Sequence, residues 1–546
     1  MQINRFKNSF AENIFKNKYA QGPNDTWDAL ADRLVEDVCG SRWGKDKPLM
    51  SQEDRDCLAQ YIKEMKFVPG GRYLWYAGRG NSYFNNCFLL RAEEDTREEW
   101  ANLTQRAVSC LMTGGGIGVD YSILRPSGKP LTRTGGLSSG PIPLMQMLNE
   151  VGRGVMQGGS RRSAIYASLN WLHEDIPAFL TSKNWSDEIK AMKDKDFNAV
   201  APLDMTNISV NYDDKWLHNA DRANLHTFVE NCRQAMMTGE PGFSFNFGDK
   251  QNETLRNACT EVTSEDDSDV CNLGSINISN VSSLEEFKHI VELGSKFLVC
   301  GTLRADLPYD KVYKVREKNR RLGLGLMGIH AWLLQRGQGY EVTPELHEWL
   351  KVYKNESERS ANEHCERLFI SKPVAYRAIA PTGSIGILAG TTTGIEPLFA
   401  VAYKRRYLTD GTKWKYEYVV DTTADQLIKE YGLDPNKIET AYGLSHDYEK
   451  RLKFQADIQD YVDMSISSTI NLPSWGSKDN NEGCVTKFAE TLSRYAPRLR
   501  GFTCYPDGSR GGQPLTEVPY EEAIKHKGTV FEENIDRACV SGVCGI

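Results

Sequence analysis

"RNACTEVTSEDDSDVCNLGSINIS" spans Arg256 to Ser279, and the rest of the chain is best understood from it. Its first half places Asn257, Cys259 and Glu261 at every second position, and a further thiol, Cys271, follows twelve residues after Cys259. In an extended segment side chains alternate between faces, so the amide, the thiol and the carboxylate are expected to point the same way. A carboxylate beside a thiol raises the thiol pKa and disfavours the thiolate. The group therefore suits a neutral sulfur, or a sulfur radical, working beside a base. The plainer alternative is three polar residues on an exposed strand.

Around this stretch the chain is ordinary in bulk. Its 546 residues exceed the usual limit for one core unless the fold is a large α/β architecture. It is 40% hydrophobic and 25% charged, with a formal net charge of −7, which argues against a basic nucleic-acid surface. No apolar run approaches the ~20 residues needed to span a bilayer. "MQINRFKNSFAENIF" has no apolar signal core, so export is not expected and the expected location is cytoplasmic. Thirteen cysteines in so long a chain are not a disulfide scaffold. The nine histidines show no HExxH or other metal spacing, so no metal site is expected.

The organisation favours an α/β fold. Residues 1–85 read as mainly helical: Trp27, Leu30, Leu34 and Val38 share a face, and Ser51 with Asp54 resembles a capping box. Thr96 with Glu99 opens another helix, with Trp100, Leu103, Ala107 and Leu111 as its apolar stripe. From there to about residue 505, β-like pieces such as "TNISVNY", "GFSFNF" and "GFTCY" alternate with helical stretches such as "TPELHEWLKVYKNESERSANEHCERLF". Residues 511–546 turn polar and rich in Glu and Lys, and are expected to be a mobile tail. That tail carries Cys539 and Cys544, five apart. No Cys or His follows to complete a metal site, so an exchangeable dithiol explains their placement.

Three Gly-rich segments add nucleotide chemistry. "TGGGIGVDYS" does not fit the dinucleotide fingerprint, and no P-loop lysine motif occurs. "MQGGSRRSA" puts Gln157, Arg161 and Arg162 on a loop able to contact bases and phosphates. "APTGSIGILAGTTTGIEP" offers Thr382, Gly383 and Ser384, whose hydroxyls and amides can cradle phosphate. Each alone is more often a plain loop; together they point to a nucleotide-handling enzyme.

These segments together resemble the catalytic subunit of ribonucleotide reductase, and most closely its adenosylcobalamin-dependent (class II) branch. The resemblance runs from about Val68 to the C-terminus, through "VPGGRYLW", "NNCF", "GGGIGVDYSILRP", "GGSRRSA", "NACTEV" with "CNLGSINIS", "RRLGLGLMG", "APTGSIGILAGTTTGIEPLFA", "STINLP", "YPDGSR" and the terminal cysteine pair. It implies a ten-stranded α/β barrel of two five-stranded halves with a central finger loop, over residues 86–510, preceded by the small helical region. It implies that Cys259 is the thiyl-radical cysteine that abstracts the ribose 3′-hydrogen, Glu261 the acceptor of the 3′-hydroxyl proton, and Asn257 the amide that hydrogen-bonds substrate. Cys87 and Cys271 match the pair that supplies protons and electrons as the 2′-hydroxyl leaves as water. Cys539 and Cys544 would re-reduce them, recharged by thioredoxin or glutaredoxin.

Adenosylcobalamin is the radical source this branch implies. A class I large subunit, which needs a separate ferritin-like radical subunit, would show two adjacent tyrosines; here "FTCYPDGSR" offers Tyr505 alone. The glycyl-radical branch is disfavoured because its C-terminal glycine motif is absent. "NACTEV" stands where class II chains usually read "NPCGEI", yet Asn, Cys and Glu are kept. The N-terminal region is too short for an ATP cone, so no on/off site is expected. A deoxynucleoside triphosphate specificity effector is expected near Gln157, Arg161 and Arg162, with Asp95 nearby. No insertion mimics a dimer partner between Cys87 and Gly114, so a homodimer is expected. An inactive nucleotide-binding regulator is the alternative of another class, and the intact cysteine set argues against it.

Overall fold

The structure is a computed structural model that describes residues 5–41, 47–155, 163–196, 199–409, 413–509, 515–526 and 530–533. A short strand β1 (Phe67–Pro69) opens the sheet. Then β2 (Cys87–Arg91), β3 (Gly116–Asp120), β4 (Ile165–Asn170), β5 (Thr206–Tyr212) and β6 (Gly242–Phe245) pair in chain order, each parallel to the next. Parallel neighbours need crossovers, and helices Arg97–Met112, Ile142–Gly154 and His226–Thr238 supply three of them. Next come the hairpin β7 (Leu255–Arg256) and β8 (Thr263–Ser264), then β9 (Asp269–Asn277) and β10 (Leu322–Met327). A second hairpin, β11 (Ala402–Thr409) with β12 (Lys413–Val420), precedes β13 (Thr469–Leu472) and β14 (Gly501–Pro506).

The expected α/β class is present as a ten-stranded mixed sheet, which counts β1 and is not closed into a barrel by named strands. β9 is parallel to β10, and β13 to β14. The two sets meet antiparallel, β9 against β2 and β14 against β6. The named strands leave a gap between β10 and β13, and single parallel bridges, Leu324 to Arg377 and Ile379 to Ile466, cross it. The second half is thus β9, β10, the segment around Arg377–Ile379, the segment entering β13, and β14. Every residue of β9 and β10 is buried, as expected for strands covered on both faces.

The hairpin of β7 and β8 runs against β3. A Cβ on Gly118 of β3 would lie 1.6 Å from the Arg256 carbonyl oxygen, so glycine is required for this close approach. This hairpin is the expected finger loop.

The N-terminal helical reading holds in detail. Trp27, Leu30, Leu34 and Val38 are all buried on helix Trp27–Cys39, Ser51 Oγ accepts from the Asp54 N–H, and Thr96 Oγ1 accepts from the Glu99 N–H. This region is knitted into the sheet, because β1 pairs with β9.

The tail expectation needs correcting. The described residues of this stretch, 515–526 and 530–533, contribute β15 (Leu515–Glu517), a short helix Tyr520–Lys525 and β16 (Val530–Glu533). β15 pairs with β11 and β16 with β12, making a second, four-stranded sheet. The hairpin's two free edges offered unpaired backbone groups, and these segments satisfy them despite their polar composition. Cys539 and Cys544 lie outside the described residues. No helix among the described residues is long and apolar enough to cross a membrane.

Candidate functional site

The finger tip is built by a turn. Asn257, Cys259 and Glu261 were expected to alternate along an extended strand; instead the Thr260 N–H bonds back to the Asn257 carbonyl at 3.0 Å, and Thr260 takes φ of 70°. A β-branched residue rarely enters that left-handed region, so the surrounding contacts impose it. The turn still brings the three side chains to one cavity, because the hairpin reverses between β7 and β8. Two bonds fix the tip: the Val262 N–H donates to Asn257 Oδ1 at 3.0 Å, and the Ser465 N–H donates to the Glu261 carbonyl at 2.8 Å.

Below the tip a buried charge network holds the hairpin. Arg321 Nε meets Asp269 Oδ2 at 2.7 Å, and Arg500 meets Glu253 at 3.0 Å. Thr263 donates to Glu253 at 2.7 Å, and Ser264 to Asp269 at 2.6 Å. Burial pushes the Glu253 carboxyl upward, but Arg500, Arg321 and Lys250 outweigh it and hold the pKa at about 2. The Arg256 guanidinium is buried and spends its donors on Asn246 Oδ1 and on carbonyls of Leu255 and Arg500.

At the tip, Asn257, Cys259, Glu261 and Cys87 line one cavity of about 160 Å³. Asn257 Nδ2 donates to Cys87 Sγ at 3.0 Å, and the Cys87 thiol faces Glu261 Oε1 at 3.9 Å. Cys87 and Cys271 are directly opposed residues of the antiparallel β2–β9 seam. Opposed residues of such a pair have Cα atoms roughly 4.5–5.5 Å apart, which falls within the range a disulfide needs. Both are reduced and buried, whereas Cys259 is exposed at the finger tip.

Electrostatics divides the labour. Burial raises the Glu261 pKa to about 7 against the hydrogen bonds from Asn257, its own backbone and Cys87. Its Oε2 is buried and has no hydrogen-bond partner among the described residues. It is therefore a base poised near neutrality with a vacant acceptor. Burial, then Glu261 and Cys271, push the Cys87 thiol well above its ordinary value; burial, then Asp269 and Glu261, do the same for Cys271. Both stay protonated at neutral pH.

The cavity continues to Thr382, Gly383 and Ser384, so the third Gly-rich segment shares the site. Thr382 Oγ1 accepts from the Gly394 N–H at 2.8 Å, which pins that loop. Asp95 stands apart, paired with Arg125 at 2.6 Å in a separate cleft of about 770 Å³ that also takes in Thr132 and Arg133. Gln157, Arg161 and Arg162 lie outside the described residues. The residue-level reading gave no role to several further lining residues: Tyr19, Gly70, Gly71, Asn86 and Ser275. Four of them sit inside quoted motifs, "VPGG", "NNCF" and "SINIS"; Tyr19 comes from the N-terminal helical region and carries no local signal.

Comparisons with known proteins agree with this geometry. Residues 85–232, 228–349 and 374–494 match the family described as "Ribonucleotide reductase, barrel domain". The chain is 25% identical to a "Vitamin B12-dependent ribonucleoside-diphosphate reductase" of Mycobacterium tuberculosis, over 93% of this chain and 80% of that one. It is 23% identical to a "Putative adenosylcobalamin-dependent ribonucleoside-triphosphate reductase" of Mycobacterium phage D29, over 96% of each. Among solved structures, that of a B-12 dependent (class II) ribonucleotide reductase superposes with a TM-score of 0.69 at 16% identity, covering 94% of this chain and 93% of that one.

Proposed function

Since the chain belongs to the ribonucleotide reductase family, we propose that it is an adenosylcobalamin-dependent member that converts ribonucleotides to 2′-deoxyribonucleotides for DNA synthesis. The observation that carries this reading is the convergence of Asn257, Cys259, Glu261 and Cys87 on one cavity, with Cys271 directly behind Cys87.

The site fits the cofactor. Cys259 is exposed while Asn257, Glu261 and Cys87 are buried, so of these four it is the one a bulky group can approach. Gly114, Gly116 and Ala164 line the same cavity with little or no side chain, and they would hold the cofactor's adenosyl end. The chemistry such a cofactor supplies is a one-electron source, which a thiyl radical on Cys259 requires.

The chain's own residues account for the remaining steps. The Cys259 sulfur radical takes the ribose 3′-hydrogen atom, and Glu261 Oε2 takes the 3′-hydroxyl proton. Cys87 protonates the 2′-oxygen, which leaves as water; Cys87 and Cys271 then supply two electrons and the second proton, so that a hydrogen is added at C2′ and the pair ends as a disulfide. The 3′-hydrogen then returns from Cys259, which regains its radical, and Glu261 gives its proton back to the 3′-oxygen. Asn257 holds Cys87 in place through its Nδ2. Thr382, Gly383 and Ser384 are assigned to the substrate phosphate, and Asp95 to the region of a deoxynucleoside triphosphate effector. Cys539 and Cys544 are assigned to re-reduction by thioredoxin or glutaredoxin, and the active form to a homodimer.

The test is ribonucleotide reduction by this chain alone, with dithiothreitol, with and without adenosylcobalamin. The proposal expects deoxyribonucleotide when the cofactor is present. Activity that appears only after adding a metal-containing second subunit would overturn it in favour of the class I alternative.

A further inference from the structure

Two cysteines and a histidine meet outside the catalytic cavity, and the proposed reaction uses none of them. Cys39 ends helix Trp27–Cys39, Cys300 lies one turn before the end of helix Leu284–Arg304, and His364 stands on helix Pro344–Leu368. All three are buried. His364 Nε2 is 3.4 Å from Cys300 Sγ, and the exposed Arg367 donates to His364 Nδ1 at 2.9 Å. An arginine can only donate, so Nδ1 accepts, and the proton of the neutral imidazole sits on Nε2, towards the sulfur. Cys39 hydrogen-bonds the same sulfur. Arg304 Nη2 donates to the Gly40 carbonyl at 2.7 Å, which ties the end of one helix to the end of the other. Cys300 thus receives two donors in a setting that holds two guanidinium groups, and this favours its thiolate. Burial pushes the Cys300 thiol up, but the hydrogen bonds from Cys39 and His364, with the nearby charges, bring it below its ordinary value. Burial, then Cys300, push the Cys39 thiol up, so Cys39 keeps its proton.

We propose that Cys39 and Cys300 are a peroxide-responsive thiol pair, in which His364 supports the attacking Cys300 sulfur and oxidation forms a disulfide that clamps the N-terminal helical region to helix Leu284–Arg304. The Cys300 thiolate attacks one oxygen of hydrogen peroxide, the O–O bond breaks, hydroxide leaves and Cys300 becomes a sulfenic acid. The Cys39 sulfur then attacks the Cys300 sulfur. The S–O bond breaks, and the departing hydroxide takes the Cys39 proton and leaves as water. Two electrons pass from the two sulfurs to peroxide, giving one disulfide and, with the proton that Cys300 had released, two waters. The clamp secures a region whose Tyr19 forms part of the catalytic cavity wall.

The test is peptide mapping of the folded, full-length chain after treatment with hydrogen peroxide and alkylation of the remaining thiols. Trypsin places Cys39 and Cys300 on residues 34–42 and 297–304, each with a single cysteine. Wild type should yield these two peptides joined by a bond that dithiothreitol reverses, and the oxidised protein should melt a few degrees higher than the reduced one. Cys39→Ala should lose that rise, although Cys87 and Cys271 can still oxidise. His364→Leu should slow formation of the joined peptide about tenfold, the worth of one hydrogen bond to a charged group. His364→Gln, which keeps an N–H donor, should restore much of the rate. Absence of the joined peptide from wild type overturns the proposal, whatever the variants do. The same melting rise in Cys39→Ala overturns the clamp, and an unchanged rate in His364→Leu overturns the part given to the histidine.

Discussion

Glu261 shows how one buried residue sets both rate and stability. Its pKa is raised by burial from 4.5 to about 7. Proton abstraction needs the carboxylate, so the rate of reduction should climb as pH rises through about 7. Stability runs the other way. Between the unfolded and the folded pKa the native state binds the extra proton, so stability falls as pH rises through that window. Above about 7 the ionised side chain costs on the order of 3 kcal/mol. Glu261→Gln should therefore lose about 10²–10⁴-fold in rate. The same variant should unfold at a higher temperature than wild type at pH 8 and at a similar temperature at pH 4. An equal or lower melting temperature at pH 8 would contradict the buried, ionised assignment. The chemistry of this residue was legible in its place beside Cys259. Its burial was not, because burial depends on Ser465 and the barrel wall, both remote in sequence.

The finger hairpin is the element on which the site depends, and it is held by charges as much as by packing. Removing one partner of a buried ion pair leaves the other uncompensated. Arg321→Ala would leave Asp269, which is fully buried, and Glu253 without their shared cation. Denaturant unfolding should show a loss of about 3–5 kcal/mol. A loss below about 1 kcal/mol would mean that the hairpin does not lean on this network. The finger illustrates where local pattern misleads. The alternation of Asn257, Cys259 and Glu261 pointed to the right three residues through the wrong geometry: a turn with Thr260 in the left-handed region delivers them together. Period-two spacing does not distinguish a strand from a hairpin tip when the partner strands are two residues long. Gly118 was quoted within a motif, but its reason, the Arg256 carbonyl 1.6 Å from where its Cβ would be, exists only in three dimensions.

At the scale of the whole molecule, α/β alternation predicted the fold class: "TNISVNY" is β5, "GFTCY" lies within β14, and "GFSFNF" covers β6 and runs two residues past it. The bridges at Arg377 and Ile379 were not legible, because single bridges leave no periodic signal. The polar stretch after residue 511 was misjudged for a related reason: β15 and β16 are stabilised by the β11–β12 edges, not by their own composition.

Electron supply is also a property of the whole chain. Cys87 and Cys271 are buried, so a small dithiol can reach them where a protein reductant cannot. Replacing both Cys539 and Cys544 by Ser should abolish multiple turnover with thioredoxin and keep much of it with dithiothreitol. Full turnover with thioredoxin would remove the relay role from the tail pair.

The central claim is that the finger-tip thiol carries the radical chemistry. The most direct measurement is deoxyribonucleotide formation by Cys259→Ser with adenosylcobalamin and dithiothreitol, beside ribonucleotide binding by the same variant. Cys259→Ser exchanges one atom, sulfur for oxygen, and leaves Asn257, Glu261 and the Thr382–Ser384 wall of the cavity unchanged, so binding should match wild type while product falls to background. Product formation within about tenfold of wild type, a barrier change of only about 1.4 kcal/mol, would contradict the account.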